Sequence, residues 1–323
     1  MVRIWPWRAL LGIVLAVLAA GGLAEVAAAA QTKDLGKLRV GVLPVGDCLQ
    51  IFVADAKGYL KEEGFSAVEL PRMAGGAAVA PAVEGGSLDL GWSNVVSVAL
   101  AHEQGFDHVF ITPGASEMEG HRVHKIMVAA DSPVRRAADL EGKAVAVNTL
   151  ANIPFVAAAA WLRANGVRPD QVQFVEVPFP NMEAALKSKQ VAAAVMLEPF
   201  VTASQAAGST RALENEPFKA FGPRSVIASW FAKKSWLAAN PDKAAAFRRA
   251  IAKATLAIRA NPAEARLTLL TYTRLSKDLA EKIVMPAFEE SLPGADVQAV
   301  LDATAKQGLL KASFPAKDIL ALQ

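Results

Sequence analysis

The chain has 323 residues, with 34 basic against 31 acidic side chains and 53% hydrophobic residues. Such a length accommodates about two domains, and the apolar content excludes disorder as the dominant state. The formal charge of +3 is scattered with no basic stripe, so the sequence gives no nucleic-acid-binding signal.

The first thirty residues read as an export signal. Arg3 and Arg8 flank the start of an apolar run from Ala9 to Leu23, and Ala27-Ala28-Ala29-Ala30 precedes the polar Gln31-Thr32-Lys33-Asp34. A basic start, a short apolar run and an Ala-x-Ala exit define a secretory signal peptide. As a helix the run reaches about 22 Å, short of the roughly 30 Å hydrocarbon core. Residues 1–30 are therefore expected to be removed, the mature chain to start near Gln31 and the protein to reside in the periplasm. An uncleaved anchor is the alternative. Cys48 is the single cysteine, so no internal disulfide is available, and its position far beyond the apolar run does not suit lipid attachment.

Lys37–Leu43 alternates and is β-rich, predicting a first strand; Leu49, Phe52, Val53, Ala56 and Leu60 carry helical spacing. A second strand is expected at Ala67–Leu70, a helix after the Gly75-Gly76 turn, and a third strand at Leu88–Trp92. The alternation repeats: strand 143–147, helix 153–164, strand 172–177, helix 181–189 and strand 191–197. That order predicts parallel sheets with right-handed crossovers. His124–Ala130 and Arg224–Lys233 look extended and apolar and are expected to carry the chain between two lobes. Asn240-Pro241-Asp242, Asn261-Pro262 and Ser276 open helices in the tail.

Several motifs, in order, resemble a family. Val42-Leu43-Pro44, Asp47, Phe52-Val53-Ala54, Lys57-Gly58-Tyr59-Leu60 and Glu63-Gly64-Phe65 are similar to the opening of ABC-importer binding proteins of the nitrate/sulfonate/taurine type. Relatives that bind thiamine pyrimidine precursors open similarly. Gly75-Gly76, Gly86-x-Leu88-Asp89, Asp139-Leu140-x-Gly142-Lys143, Gly166-x-x-Pro169-Asp170, Glu198-Pro199-Phe200 and Asn261-Pro262-x-Glu264 extend the resemblance. The chain departs at Lys189-Gln190-Val191-Ala192-Ala193, where relatives often carry Gly-x-Val-Asp-Ala. The resemblance implies a type II periplasmic-binding-protein-like α/β fold, two lobes joined by two crossing strands with a ligand cleft between them. Residues 31–122 with 225–323 would form lobe one and 123–224 lobe two. It implies a monomer that closes over a small solute and hands it to an ABC importer permease, with no cofactor and no catalysis.

In such a fold the loops after the parallel strands border the cleft. Asp47 and Cys48 follow the first strand; Asp47 either accepts from a ligand donor or caps the next helix. Gly75 and Gly76 admit close backbone approach or simply turn the chain. Trp92, Ser93 and Asn94 end the third strand and offer a wall and hydrogen bonds, or a buried ring and a helix cap. Asn148, Thr149 and Asn152 occupy the equivalent place in the second half, and Glu198, before Pro199, presents a carboxylate at a strand end. Asp47 and Glu198 together would repel a bare anion unless one is protonated, favouring a nitrogen-bearing or aromatic solute within a sulfonate/taurine-like or pyrimidine-like range. His121-x-x-His124 with Glu119 is poor metal geometry on an extended segment, and no metal is expected. Gly-x-Ser-x-Gly, phosphate-loop and Gly-x-Gly-x-x-Gly motifs are absent. The catalytic alternative is a carbon–sulfur bond hydrolase on the same fold, with Cys48 as nucleophile near a helix N-terminus that would lower its pKa.

Overall fold

The computed structural model describes residues 33–73, 75–150, 152–213, 216–273 and 275–321. The expected signal peptide and the start near Gln31 lie outside them. Among the described residues no helix is long and apolar enough to cross a membrane.

Two sheets organise residues 35–321. The strands are β1 (Gly36–Gly41), β2 (Phe65–Glu69), β3 (Leu90–Asn94), β4 (His108–Glu117), β5 (His124–Ala129), β6 (Ala144–Val147), β7 (Gln173–Glu176), β8 (Ala193–Leu197), β9 (Thr210–Ala212), β10 (Ser225–Lys233) and β11 (Ala287–Phe288). The first sheet has the order β11-β4-β10-β3-β1-β2, the second β7-β6-β8-β5-β9. In the first, β1 runs parallel to β2 and β3, and β10 is antiparallel to β3 and β4. In the second, β6 is parallel to β7 and β8, while β5 is antiparallel to β8 and β9. Central strands of such sheets are covered on both faces and so lose the apolar–polar alternation. All five residues of β3 and all five of β8, Ala-Ala-Val-Met-Leu, are buried accordingly.

The chain leaves the first sheet after Glu117, enters the second at His124, and returns to the first at Ser225. The two segments expected to carry the crossings are β5 and β10, and each begins immediately past a crossing and pairs inside its own sheet. Strand boundaries shift where pairing decides them. Asn94 pairs with Ala228 and Ser93 with Ser229, so both belong to β3 instead of the loop after it. The helix opening at Leu49 stops near Gly58, at the near end of the expected Gly58–Gly64 range; the φ of +76° there favours glycine, leaving Leu49–Ala56 and the short turn Tyr59–Glu62. The helix Ile153–Ala164 has the expected bounds.

The first sheet is locked to the tail by a buried polar chain. Trp230 Nε1 donates to Gln50 Oε1 at 3.0 Å, Gln50 Nε2 to Thr255 Oγ1 at 2.7 Å, and Thr255 Oγ1 to the Ile251 carbonyl at 2.9 Å. That chain ties β10 to the helices Leu49–Ala56 and Pro241–Ala260, satisfying groups that would otherwise be costly to bury. Asp89 holds β1 to the start of β3, accepting from Arg39 N at 2.8 Å, Nε at 3.2 Å and Nη2 at 2.8 Å. One apolar cluster covers the first sheet and reaches across to Ile153, Phe179 and Met196; a second, around Ile126, Val145, Leu162 and Val195, belongs to the second sheet alone.

Lys189, at the departure from the family's Gly-x-Val-Asp-Ala, takes a left-handed φ of 59°. A side chain in that region is disfavoured by roughly 1–2 kcal/mol, partly offset by glycine's greater entropy loss on folding. Its ion pair with Asp131, 3.2 Å between exposed groups, returns little. Lys189→Gly is expected to raise stability by about 0.5 kcal/mol in urea unfolding; a clear loss would contradict the strain.

Candidate ligand cleft

A cavity of about 20 Å³ lies between the sheets, at the carboxyl ends of β1, β3, β6 and β8. Asp47, Gly76, Trp92 and Asn94 wall it from the first sheet's side, and His124, Asn148, Asn152 and Phe179 from the second's. Helices Gly76–Glu84, Val95–Glu103, Ile153–Ala164 and Phe179–Lys187 all begin around it, so four sets of N-terminal N–H groups converge there. No Lys or Arg stands among its described lining residues. At this size it admits about one water.

The sequence-predicted residues gather at this seam, though not all face the cavity. Asn94 caps the Val95 helix, accepting from Ser97 N at 3.0 Å and donating to Ser97 Oγ at 3.1 Å. Asn152 accepts from Ile153 N at 2.8 Å and donates to Asn148 Oδ1 at 3.0 Å. Gly76 is required sterically: a Cβ there would fall 2.6 Å from Ser93 Oγ and 2.8 Å from Asn94 Nδ2. Gly75 faces the other half, where a Cβ would meet Asn148 Nδ2 at 3.3 Å. Asp47 Oδ1, Trp92 Nε1, Ser93 Oγ and Thr149 Oγ1 are buried without a hydrogen-bond partner in the protein. Four orphaned polar atoms on predicted site residues, one carboxylate oxygen against one indole N–H and two hydroxyls, form a receptive set for a polar solute.

Asp47 is fully buried, and that burial pushes its carboxyl up to about 7; His124 opposes the shift while Glu117 and Glu198 add to it. Glu198 is raised too, by burial first, although Thr202 N at 3.1 Å, Thr202 Oγ1 at 2.8 Å and Val284 N at 3.4 Å donate to it. The Val284 contact ties the segment before β11 to the end of β8, so Glu198 links the parts of the chain that carry the two sheets.

Sequence reasoning missed the group beside Asp47. Glu117, at the end of β4, accepts from Val123 N at 3.0 Å and His124 N at 2.7 Å, and its Oε1 lies 2.9 Å from His124 Nδ1. Arg122 stands 3.8 Å from both Glu117 and Glu216 and donates to the Pro223 carbonyl at 3.0 Å, tying the two crossings together. His124 stacks on Phe218 at 4.1 Å. The available signal was the buried Glu-x₄-Arg-x-His run bridging two strands. His121 points elsewhere, its Nδ1 3.0 Å from the Met285 carbonyl.

Cys48 requires a correction. Its Sγ is buried and accepts from Leu43 N at 3.4 Å, and burial raises its pKa well above the ordinary thiol range. The expected helix-lowered thiolate is not formed, because desolvation outweighs the helix end. Such a thiol is inert, and nothing supports the hydrolase alternative. A larger groove of about 350 Å³, lined by Asp131, Ser132, Lys143 and Lys189, lies at the opposite end of β6 and contains none of the predicted site residues.

Two sheets, double crossing and a seam at the strands' carboxyl ends define the periplasmic-binding-protein fold, and solved structures share it. The alkanesulfonate-binding protein SsuA from Xanthomonas axonopodis pv. citri, bound to MOPS, matches with a TM-score of 0.77 at 19% identity, covering 90% of this chain and 99% of that one. The periplasmic nitrate-binding protein NrtA from Synechocystis PCC 6803 matches at 0.71 and 16% identity, covering 88% and 84%. A Brachyspira hyodysenteriae protein named as an ABC transporter periplasmic binding protein is 32% identical over 111 residues, 34% of this chain and 30% of that protein. The match thus spans less than a third of that relative. Residues 46–265 match the family described as NMT1/THI5 like, and the chain belongs to that family.

The raised carboxyl sets a pH dependence. Between the unfolded value of about 3.9 and the folded value of about 7, the folded state binds more protons than the unfolded one, so stability falls as pH rises through that window. Asp47→Asn removes the penalty. Its melting temperature is expected to exceed the parent's at pH 8, with the gap narrowing toward pH 5. A gap of equal size at both pH values would contradict the assignment.

Proposed function

We propose that this protein is an extracytoplasmic solute-binding protein of an ABC importer, acting as a monomer that captures a small organic solute between its two halves. Residues 31–122 with 225–323 form one half and 123–224 the other, and a signal peptide at 1–30 directs export. The reading is supported by family membership and, above all, by one observation: a seam where both halves bury polar atoms that neither half satisfies. Those atoms gain partners only from a molecule held between the halves, so such a molecule favours the shut form. A tenfold preference for that form needs only about 1.4 kcal/mol of differential contact. The protein performs no reaction on the solute; Cys48 has neither exposure nor thiolate character to do so.

Asp47, Ser93, Asn94, Thr149, Asn152 and Glu198 form the recognition set, with Gly75, Gly76 and Trp92 shaping the wall and Cys48 holding the Leu43 loop from behind. The described lining lacks a cationic side chain, and the carboxyls of Asp47 and Glu198 stand near one another. This arrangement favours a solute that places a nitrogen-bearing donor, an amine or an aminopyrimidine edge, beside Asp47. A taurine-like zwitterion fits the same logic, with its sulfonate directed to the helix N-termini.

The charge of the solute dictates the sign of its pH response. A cationic donor prefers ionised Asp47, so its affinity should rise from pH 5 to pH 8, by up to about a hundredfold for a two-unit protonation penalty. Asp47→Asn should weaken it about ten- to hundredfold, the loss of a charge-assisted hydrogen bond. Thermal-shift screening of nitrate, alkanesulfonates, taurine, primary amines and aminopyrimidines at both pH values checks this. Stabilisation only by simple anions, weakening as pH rises, would overturn the ligand class; no stabilisation by any of them would count against solute capture.

A further inference from the structure

The inner cavity holds about one water, yet a groove of about 340 Å³ lies immediately outside it. That volume falls within the ~300–1,000 Å³ usual for small-ligand sites. The two spaces share a partition. Leu43 and Phe179 wall the inner cavity while their chain neighbours Pro44 and Pro180 wall the groove, and Phe179 stacks at 6.2 Å on Phe200, another groove residue. Pro44, Arg72, Tyr272 and Leu279 border the groove from one half, Phe200 and Ala203 from the other. It therefore exists only while the halves are together, at the same seam as the cavity.

The walls are mostly apolar and carry one cation. Tyr272 is already committed: its hydroxyl donates to Asp55 Oδ2 at 2.6 Å and its ring stacks on Phe52 at 4.4 Å. Arg72 is exposed and makes no ion pair among the described residues. We propose that the solute is elongated, with its nitrogen-bearing head beside Asp47, an apolar body in the groove and an anionic terminus on Arg72. This rests on the cleft reading above and extends it outward. A compact solute would leave the apolar groove walls facing water in the shut form, whereas an apolar body excludes that water and adds burial on both halves at once.

Titration calorimetry on the full chain tests this with 4-aminobutyrate, 6-aminohexanoate and 8-aminooctanoate against butyl-, hexyl- and octylamine. Affinity should rise by about fourfold per methylene until the groove is filled. Each amino acid should bind about threefold more tightly than its matched amine, and Arg72→Ala should abolish that preference. Asp47→Asn should weaken every member. Binding that ignores chain length, or a carboxylate preference that survives Arg72→Ala, overturns the groove and leaves the cleft standing. If chain length and Arg72 matter while Asp47→Asn has no effect, the groove stands and the head assignment fails. Failure of every probe to bind the parent overturns both.

Discussion

Polar atoms buried at a seam must find partners or cost free energy, and at this seam the protein does not supply them. Leaving a buried polar group unpaired costs on the order of 1–3 kcal/mol, and of the residues with orphaned atoms Asp47 and Trp92 line the cavity where two sheets end. Elsewhere some such groups are satisfied, as in the Trp230–Gln50–Thr255 chain and the Arg39–Asp89 fork, while others, such as Ser229 Oγ and His108 Nδ1, also lack a partner. Asp47 carries the consequence furthest, since burial, with Glu117 and Glu198 adding to it, outweighs His124 and holds its proton to about 7.

On the proposed reading, this seam is also where the halves part. Between the sheets the chain passes only twice, and Glu117, Arg122 and Glu216 gather those passages into one spot. Across the rest of the seam run the Val284–Glu198 and Arg163–Gln307 hydrogen bonds, the Arg224–Asp296 ion pair at 2.6 Å and an apolar cluster shared by both sheets around Phe179 and Ile153. On that reading, a small differential contact energy decides between open and shut. A cavity of about 20 Å³ must widen to admit anything larger than water.

Much of this was legible in the sequence, and the failures have physical causes. The alternation of strand and helix through residues 37–197 was readable because buried parallel strands are uninterrupted apolar runs and helices keep their spacing. β4 was not, because Pro113-Gly114 falls inside it and reads as a turn. In the sheet, Gly114 permits the close approach of β10, where a Cβ would lie 2.2 Å from the Ala228 carbonyl oxygen. Asp47, Asn94 and Asn152 were proposed from position alone, at or just past the ends of strands. Glu117 and His124 were not, because their importance arises from a contact between the end of one sheet and the start of the other. Cys48 misled for a related reason: sequence shows a thiol near a helix start but not the burial that raises its pKa.

Pulsed electron paramagnetic resonance tests the central claim most directly, with spin labels on engineered cysteines at exposed positions Lys282 and Gln205, one on each half, the buried Cys48 staying silent. The account predicts a longer or broader distance distribution in the free protein, collapsing to one short distance with a solute that stabilises the fold. One unchanging distance, with and without that solute, would contradict it.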